Sequence, residues 1–592
     1  MPGMVLASVL WFLAFLASSS WAALTPTRTT PLKRAVPSTF VGSAGNQFSL
    51  LGKPFHFVGT NAYWLQMLNS TDDLLTTLKA IKATNASVVR VWAFNDVTEP
   101  PANNATFLQL FTNGIGVPNL GSNGFERLDA VLNASESLGL KVIFTTTNNW
   151  NPQDTNGTAG LPNVNATLAK RATNTTSNFT FPHGYLSNDY GGIDLYVRQI
   201  IGAQAKHDEF FTNLTVRNAF KNYLSVLVPR YANSTTLAAW EIANDPRCNS
   251  TLPSTGTCTT VTITSWLADI AQFIRSLDPN HLISAGTQGF FCLEHIADCP
   301  KLFPTPPPPK VSQAVNQRRG KQLTSRALLE IRKDIEKKRA AQDAKNVLQG
   351  RSIRGKWRAP TKTKRQTTPE VGPAFDGSFG IDSQDILNIP DIGFSTFQLF
   401  PDQNTYGPLN PNINATENTL DQGISWIQAQ GAAANAAGKP SILTSFGLIT
   451  NATSQFFVPF NSTQVVGSTS SLGSGAGTAS SSGTGANFTG VSDGIQNSTY
   501  STWVSTALQA GVDGILQYQW GQDGLQQSGG GGVVTSTEGD IGSTAPTGDQ
   551  AGVSPQDGYA PAVGSPEQSN INTILSKAAA QQALLNAANL LR

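Results

Sequence analysis

Short apolar or β-branched segments alternate with amphipathic helical patterns through most of the chain. Five such segments precede residue 300 and three follow residue 390, separated by stretches with apolar residues at the 3.6-residue spacing of a helix. The eight segments read HFVGTNAYW, SVVRVWAF, LKVIFTTTNNW, TLAAWEIAN, HLISAG, IGFSTFQLF, PSILTSFG and DGILQYQW. A strand followed by a helix, repeated, predicts a parallel sheet. About eight strands favour an α/β fold of the closed (β/α)8 TIM barrel type over an open doubly wound sheet.

Changes in composition divide the 592 residues further. From Lys301 to Glu370 there are 19 of the chain's 40 Lys and Arg but only five of its 38 Asp and Glu, so a basic insertion interrupts an acidic chain. Few aromatic residues accompany these charges, which favours a solvated loop or cleaved linker over a nucleic-acid surface. The predicted organisation is a signal peptide (1–22), a candidate propeptide or linker (23–39), a first barrel part (40–300), the basic Pro-rich and helical insertion (301–371), a second barrel part (372–527) with a Gly/Ser-rich loop (467–490), a flexible Gly/Ser/Thr-rich segment (528–566) and a C-terminal helix (567–592).

The N-terminus predicts export. Val5 to Ala17 form an apolar run shorter than the roughly 20 residues of a membrane-spanning helix, and the small-residue site Ser20-Trp21-Ala22 follows. A signal anchor is the alternative, because no Lys or Arg precedes the run. Dense Asn-X-Ser/Thr sequons fit a glycosylated surface. We therefore expect a glycoprotein in the extracellular space or cell wall, without a membrane contact after signal removal.

The four cysteines predict two disulfides. In an oxidising compartment the two close pairs, Cys248 with Cys258 and Cys292 with Cys299, are the economical choice among three connectivities. Their spacing does not resemble a zinc site, and no glycine-rich phosphate motif follows a predicted strand. We expect no metal and no organic cofactor.

Several motifs, in order, resemble the secreted fungal endo-β-1,4-mannanases of glycoside hydrolase family 5. They are GTNAYW, VVRVWAFND, NNW, DYGG, AAWEIANDPRC, SAGTQGFF, TFQLFPDQNTYG and QYQWG, and the similarity extends from Phe40 to Gly521 with interruptions. The resemblance implies a TIM barrel that acts on a polysaccharide, β-mannan or a related β-1,4-glycan, with no nucleic-acid partner. We expect a monomer.

The resemblance also implies a retaining mechanism, with a carboxylic acid after strand four and a carboxylate about 5 to 5.5 Å away at the end of strand seven. At the acid position the family has Asn-Glu-Pro-Arg, whereas this chain has Asn244-Asp245-Pro246-Arg247. Asp245 is one methylene shorter than Glu. Either a weakened catalytic acid or a structural pair with Arg247 fits this sequence.

The nucleophile position differs more. Where the family has Glu before an aromatic residue and Gly, this chain has Ser445. A serine hydroxyl cannot replace a carboxylate in this chemistry, and no neighbouring His is apparent to activate it. Gln398, Phe400 and Tyr518 stand where the family has His, Tyr and the platform Trp, and Gln288 occupies an acidic position.

Other positions keep family residues that imply a sugar-binding groove. Arg90 matches the Arg that holds the strand-seven carboxylate, with Asp245 as its expected alternative partner, and Asn244 matches the residue that binds the sugar 2-hydroxyl. Aromatic and amide side chains at predicted strand ends are further groove candidates, with core packing as the alternative for each ring: Tyr63, Trp64, Trp92, Asn148, Asn149, Trp150, Gln398 and Tyr518.

Two functional hypotheses follow. The first is a mannan-directed hydrolase that uses Asp245 with an unidentified second carboxylate, for which Asp189, Asp402 and Asp523 are candidates. The second is a non-catalytic pseudo-enzyme that only binds glycan. Loss of the carboxylate, the imidazole, the phenol and the platform Trp in one chain favours the second.

Overall fold

The computed structural model describes residues 39–101, 104–152, 183–293, 297–303, 372–463, 490–526 and 552–588. The predicted signal peptide, all but the last residue of the candidate propeptide, and most of the basic insertion and of the Gly/Ser-rich loop lie outside these residues.

Eight parallel strands form the centre of the fold. In chain order they are β1 (Phe57–Asn61), β2 (Val88–Trp92), β3 (Lys141–Thr145), β4 (Leu237–Glu241), β5 (Leu282–Ser284), β6 (Ser395–Leu399), β7 (Ser441–Phe446) and β8 (Gly514–Gln517). Nearly every residue in these strands is buried, because side chains on one face of the sheet point into the centre of the barrel and those on the other face pack against the helices. Their near-continuous apolar sequences have this cause.

The sheet curves into a (β/α)8 TIM barrel, as the sequence predicted. Neighbouring strands pair in the order β5-β4-β3-β2-β1-β8-β7-β6. The two end strands are bridged by main-chain hydrogen bonds, from Gly393 N to Ile283 O at 2.7 Å and from Gln398 N to Gln288 O at 3.1 Å. The carboxyl ends of all eight strands therefore meet at one end of the barrel.

Helices surround the sheet. They are α1 (Thr71–Ala83), α2 (Phe125–Ser137), α3 (Ile193–Ile200), α4 (Glu209–Thr212), α5 (Leu214–Tyr231), α6 (Thr260–Leu277), α7 (Ser383–Leu387), α8 (Ala415–Ala437), α9 (Asp493–Gln509) and α10 (Pro566–Ala588). Local sequence explains several ends. For example, Asn414 and Glu417 form a capping box that starts α8, and Gly438 ends it in the left-handed conformation.

Two small three-stranded sheets lie outside the barrel strands. One contains Gly42–Ala44, Gln47–Leu50 and Lys53–Pro54, and the other contains Asp96–Val97, Gln109–Thr112 and Ile115–Pro118. Single turns of 3-10 helix occupy Leu65–Met67 and Ser454–Phe456.

The C-terminal part packs on the barrel. Helix α10 buries Ile571, Leu575 and Ala578, and Gln582 Nε2 donates to Asp513 O at 3.2 Å. Among the described residues, no helix is long and apolar enough to cross a membrane.

Residues 552–565 differ from the prediction of a flexible segment at 528–566. Asp557 and Tyr559 are 3% exposed, and Ser554 Oγ accepts a hydrogen bond from Gln522 N at 2.9 Å. This part of the predicted flexible segment is packed, because its few large or charged side chains find buried partners.

Both predicted disulfides are confirmed. Cys248 is bonded to Cys258, and Cys292 is bonded to Cys299. The first joins the loop after β4 to the residues just before α6, so it restrains the chain that follows Asp245.

Candidate functional site

The sequence-predicted site residues lie at the carboxyl end of the barrel, where functional sites of this fold are found. Arg90, Gln398 and Ser445 belong to β2, β6 and β7, and Asp245 follows β4 by four residues. Parallel strands bring these four positions together although they are spread over more than 350 residues of sequence.

Asp245 is buried, and N–H donors surround its carboxylate. Arg247 Nε lies 2.8 and 2.9 Å from the two oxygens, and Arg247 Nη2 lies 2.8 Å from Oδ2. Trp150 Nε1 and Gln288 Nε2 donate to the same Oδ2 at 3.1 and 3.0 Å. The structure thus contains the Arg247 pair, one of the two arrangements that the sequence left open.

The surroundings of Asp245 shift the pKa of its carboxyl group in opposite directions. Burial raises the pKa of this carboxyl above its usual value, whereas the Arg247 charge and the three donor side chains lower it. The backbone of Asp245 has a φ of 55°, in the left-handed region that Asp tolerates better than most residues.

Arg90 does not pair with Asp245, contrary to the sequence-based expectation. Its partner is Glu241, the last residue of β4, whose Oε1 accepts from both Nε, at 3.0 Å, and Nη2. The remaining N–H groups reach Asn61 Oδ1 at 3.0 Å, Asn244 Oδ1 at 2.9 Å and Ser445 Oγ at 3.4 Å. All five N–H groups of the guanidinium therefore have an acceptor.

Glu241 is the residue that the sequence reasoning missed. It is fully buried, Thr145 Oγ1 also donates to its Oε1 at 2.9 Å, and its Oε2 has no hydrogen-bond partner among the described residues. The available signal was the position of Glu241 directly after Trp240 in β4, since neighbouring side chains in a strand point to opposite faces. Trp240 points outward, where its Nε1 donates to Asp278 Oδ2, so Glu241 points into the barrel. A charged residue pointing inward requires a counter-charge.

The hydroxyl of Ser445 is occupied by local groups. Its Oγ lies 2.7 Å from Thr444 O and 3.3 Å from Asn61 Oδ1, and it accepts from Arg90. Within the described part of the chain, its hydrogen-bond partners include no imidazole and no carboxylate. The position thus holds neither a nucleophilic carboxylate nor a base-activated hydroxyl.

Asn244 and Gln398 form an amide pair beside Arg90. Asn244 Oδ1 accepts from Gln398 Nε2 at 3.0 Å as well as from Arg90, and Asn244 Nδ2 donates to Asn148 Oδ1 at 2.8 Å. Asn244 is half-buried. Its amide orientation is fixed by three side chains.

Four of the predicted groove aromatics are enclosed. Tyr63, Trp64, Trp92 and Tyr518 are at most 3% exposed. Tyr63 stacks on Tyr518 with ring centres 6.2 Å apart, and the Arg90 guanidinium lies 4.8 Å from the Trp92 ring centre. The Tyr518 hydroxyl donates to Asp557 Oδ2 at 2.6 Å. Only Trp150 among the five predicted rings is half-buried.

Asn149 supports the Asp245 loop. Its Oδ1 accepts from Arg247 N at 3.0 Å and lies 3.0 Å from His207 Nε2, while His207 Nδ1 lies 2.6 Å from Asp194 Oδ1. The Asn149 side chain is completely buried. Its contacts position Arg247, which in turn holds Asp245.

The three other carboxylates considered from sequence have separate surroundings. Asp189 Oδ2 accepts from Gly184 N at 3.1 Å, and Asp402 Oδ2 accepts from Ile449 N at 3.0 Å. Burial raises the pKa of Asp402 to about 7. Asp523 is exposed. In the described residues no group of three or more His, Cys, Asp or Glu side chains could hold a metal ion.

Comparisons with known proteins relate the chain to one family. A family model described as GH family 5 beta-mannosidase-like matches residues 38–298. Mannan endo-1,4-beta-mannosidase A of Aspergillus aculeatus is 33% identical over 261 residues, which are 44% of this chain and 57% of that protein. Probable mannan endo-1,4-beta-mannosidase A of Aspergillus oryzae is 25% identical over 418 residues, covering 71% of this chain and 74% of the relative.

A solved structure has the same fold. The endo-1,4-beta-mannanase from Rhizomucor miehei superposes with a TM-score of 0.53 at 22% identity, covering 92% of this chain and 99% of the other. This likeness confirms the barrel. The alignment to the Aspergillus aculeatus protein spans little more than half of that relative's length.

Proposed function

We propose that this chain is an exported protein that recognises β-1,4-mannan-type polysaccharide without hydrolysing it by the retaining mechanism. The match of residues 38–298 to the GH family 5 beta-mannosidase-like model supports the proposal. The observation that carries this proposal is the strand-seven position. A retaining glycosidase needs a carboxylate there to attack the anomeric carbon. Ser445 has a hydroxyl that is already bonded to Thr444 O and Asn61.

The state of Arg90 supports the loss of the covalent step. In this chain its charge is balanced by Glu241 on β4 rather than by a group on β7. The guanidinium does not require a carboxylate at position 445, and no described side chain presents one to it from β7. All N–H groups of the Arg90 guanidinium thus have acceptors without a nucleophilic carboxylate on β7.

The state of Asp245 supports the loss of acid catalysis. A general acid must carry a proton and present it to the leaving oxygen. Both oxygens of Asp245 instead accept hydrogen bonds from Arg247, and Oδ2 also accepts from Trp150 and Gln288. Burial has the largest effect on the pKa of Asp245 and raises it, so the loss of acid catalysis is inferred from geometry alone. N–H groups of Arg247, Trp150 and Gln288 converge on Oδ2 and point at the position that a proton on this oxygen would take.

Recognition of mannan rests on the family relationship. The relatives are named mannan endo-1,4-beta-mannosidases. At the barrel mouth Trp150 and Asn244 are half-buried, which leaves an indole and an amide within reach of a glycan. Export rests on the apolar N-terminal run and the dense sequons of the sequence.

The proposal predicts that the purified full chain releases no reducing ends from β-1,4-mannan or galactomannan. A Ser445→Glu/Asp245→Glu variant restores both family carboxylates, and Ser445→Ala is the matched control for an altered strand-seven side chain. We expect the natural chain and the control to match the enzyme-free blank. Turnover by the natural chain above the blank would refute the loss of hydrolysis.

Recognition is tested separately by affinity electrophoresis. Mobility of the natural chain should fall in gels that contain galactomannan and stay unchanged in gels that contain dextran, an α-linked glucan. Equal mobility in both gels would show that the chain does not recognise mannan.

A further inference from the structure

Two loops on opposite sides of the barrel meet above the candidate site. Asn188 lies in the connection after β3, and residues 457–463 follow β7. Strands β3 and β7 are four positions apart in the eight-stranded order, so they stand across the barrel from each other. Asn188 Nδ2 donates to Phe460 O at 2.8 Å and to Ser462 O at 2.7 Å. The Asn188 side chain therefore ties one rim of the barrel mouth to the other.

The loop after β7 places an aromatic ring inside this mouth. The ring of Phe460 packs edge-on against Phe400, with centres 5.0 Å apart, and lies 6.2 Å from the rings of Tyr518 and Tyr559. Its backbone N–H donates to Gln403 Oε1 at 2.8 Å, and Gln403 Nε2 donates to the Tyr559 hydroxyl at 3.0 Å. The loop is held by polar contacts from Gln403, in the loop after β6, as well as by Asn188.

The residues under this ring occupy positions to which the family resemblance gives a role in the cleft, Tyr518 at a sugar platform and Phe400 beside the nucleophile. Phe400 and Tyr518 stand at positions where the family carries the phenol and the platform Trp, and both are at most 3% exposed. In addition, Val458 N donates to Asp557 O at 3.0 Å, so the same loop is joined to the segment that binds the Tyr518 hydroxyl. An aromatic side chain of the protein itself covers the surface on which a sugar ring would lie.

We propose that residues 457–463 form a roof, fixed by Asn188, that closes the cleft, and that polysaccharide reaches the aromatic floor only when this roof opens. The identity of the polysaccharide rests on the proposed function, whereas the closure rests on the contacts above. A neutral hydrogen bond of this kind shifts a closed–open equilibrium by about 2- to 10-fold. Loss of both Asn188 bonds should therefore favour the open form about tenfold or more.

Thiol labelling measures this opening directly. All four cysteines of the chain are in disulfides, so an introduced thiol is the only free one. Phe400→Cys places a reporter directly under Phe460, and its alkylation rate by iodoacetamide reports how often the roof is open. We expect slow labelling in this background and labelling about tenfold faster when Asn188→Ala is added.

Two matched controls separate opening from general destabilisation. Asn418 also donates from Nδ2 to main-chain carbonyls, those of Asn410, Ile413 and Asn414, but it lies at the start of α8. Asn418→Ala should leave the labelling rate unchanged. Likewise Phe460→Ala should accelerate labelling, whereas Phe456→Ala, at a ring that is 40% exposed in the same loop, should not.

The outcomes separate this inference from the proposed function. Equal labelling rates in the Asn188→Ala variant and its control, or a reporter that labels as fast in the folded protein as in urea, would overturn the roof. Faster labelling supports it. If the opened variant then shows no retardation by galactomannan, mannan recognition is wrong while the roof stands; increased retardation supports both.

Discussion

The buried pair of Arg90 and Glu241 makes a quantitative prediction about the floor of the site. Arg90 is 1% and Glu241 0% exposed, and among the described residues Glu241 is the one carboxylate that contacts Arg90. Glu241→Gln keeps the shape and one acceptor oxygen but removes the negative charge. The guanidinium is then buried with neutral acceptors alone. Removing one partner of a buried ion pair costs about 3–5 kcal/mol, so the free energy of unfolding should fall by that amount.

The position of Ser445 provides a way to return the charge. Ser445 Oγ lies 3.4 Å from Arg90 Nη1, so Ser445→Glu would bring a carboxylate to the same guanidinium from β7. In the natural background this variant forces two carboxylates to share one cation, which is destabilising. In the Glu241→Gln background it restores the balance of charge. We expect the double variant to be more stable than the sum of the single effects by about 2 kcal/mol.

Urea unfolding of the four proteins gives this coupling energy. The matched control is Asp129→Asn, which removes the partner of Arg230 in a pair whose side chains are 32% and 34% exposed. A surface pair of this kind contributes about 0–1 kcal/mol. A Glu241→Gln effect as small as that of the control would refute the charge argument. Additive single effects would show that position 445 does not reach Arg90.

Three further predictions concern other parts of the barrel. Burial raises the pKa of Asp96 to about 7, so between about pH 4 and 7 the folded chain keeps a proton that the unfolded chain releases. The free energy of unfolding should therefore fall by up to about 4 kcal/mol as the pH rises through this interval. Asp96→Asn should remove this fall, as measured by unfolding at several pH values. Gly286 and Gly438 both have positive φ, but a Cβ added at Gly286 would lie 1.8 Å from Ala243 O, whereas one added at Gly438 would meet no atom within 4 Å. Gly286→Ala should therefore lower the melting temperature far more than Gly438→Ala. Replacing Cys248 and Cys258 together by alanine should lower the unfolding free energy by about 3 kcal/mol, measured in urea, because the disulfide closes a 10-residue loop.

The barrel was predictable because its signals are local. Each strand is a short apolar run bounded by turns, and each long helix has its own apolar period and often its own cap, as Asn414 shows for α8. The two disulfides follow from the short separations of 10 and 7 residues between cysteines. Motif order along the chain then located Asp245 and Ser445 at strand ends.

The partners within the site were not predictable, since they join residues far apart in sequence. Arg90 and Glu241 are separated by 151 residues, and Asn188 and Phe460 by 272. Residues 552–565 looked flexible because Gly, Ser and Thr dominate the surrounding sequence. What orders them is a small number of contacts, such as Asp557 with Tyr518, that composition does not reveal.

Charge balance at the barrel end links the separate substitutions. Asp245 is matched by Arg247 and Glu241 by Arg90, so the two carboxylates at the candidate site belong to two neutral pairs. A retaining glycosidase passes through an oxocarbenium-like transition state beside a carboxylate that attacks the anomeric carbon, and the family resemblance assigns this carboxylate to β7. Neither Asp245 nor Glu241 lies on β7, and each accepts hydrogen bonds from its own guanidinium. Ser445→Glu would return a carboxylate to β7, but it would have to share Arg90 with Glu241. The missing charge at position 445 and the neutral pair of Arg90 with Glu241 are therefore mutually consistent.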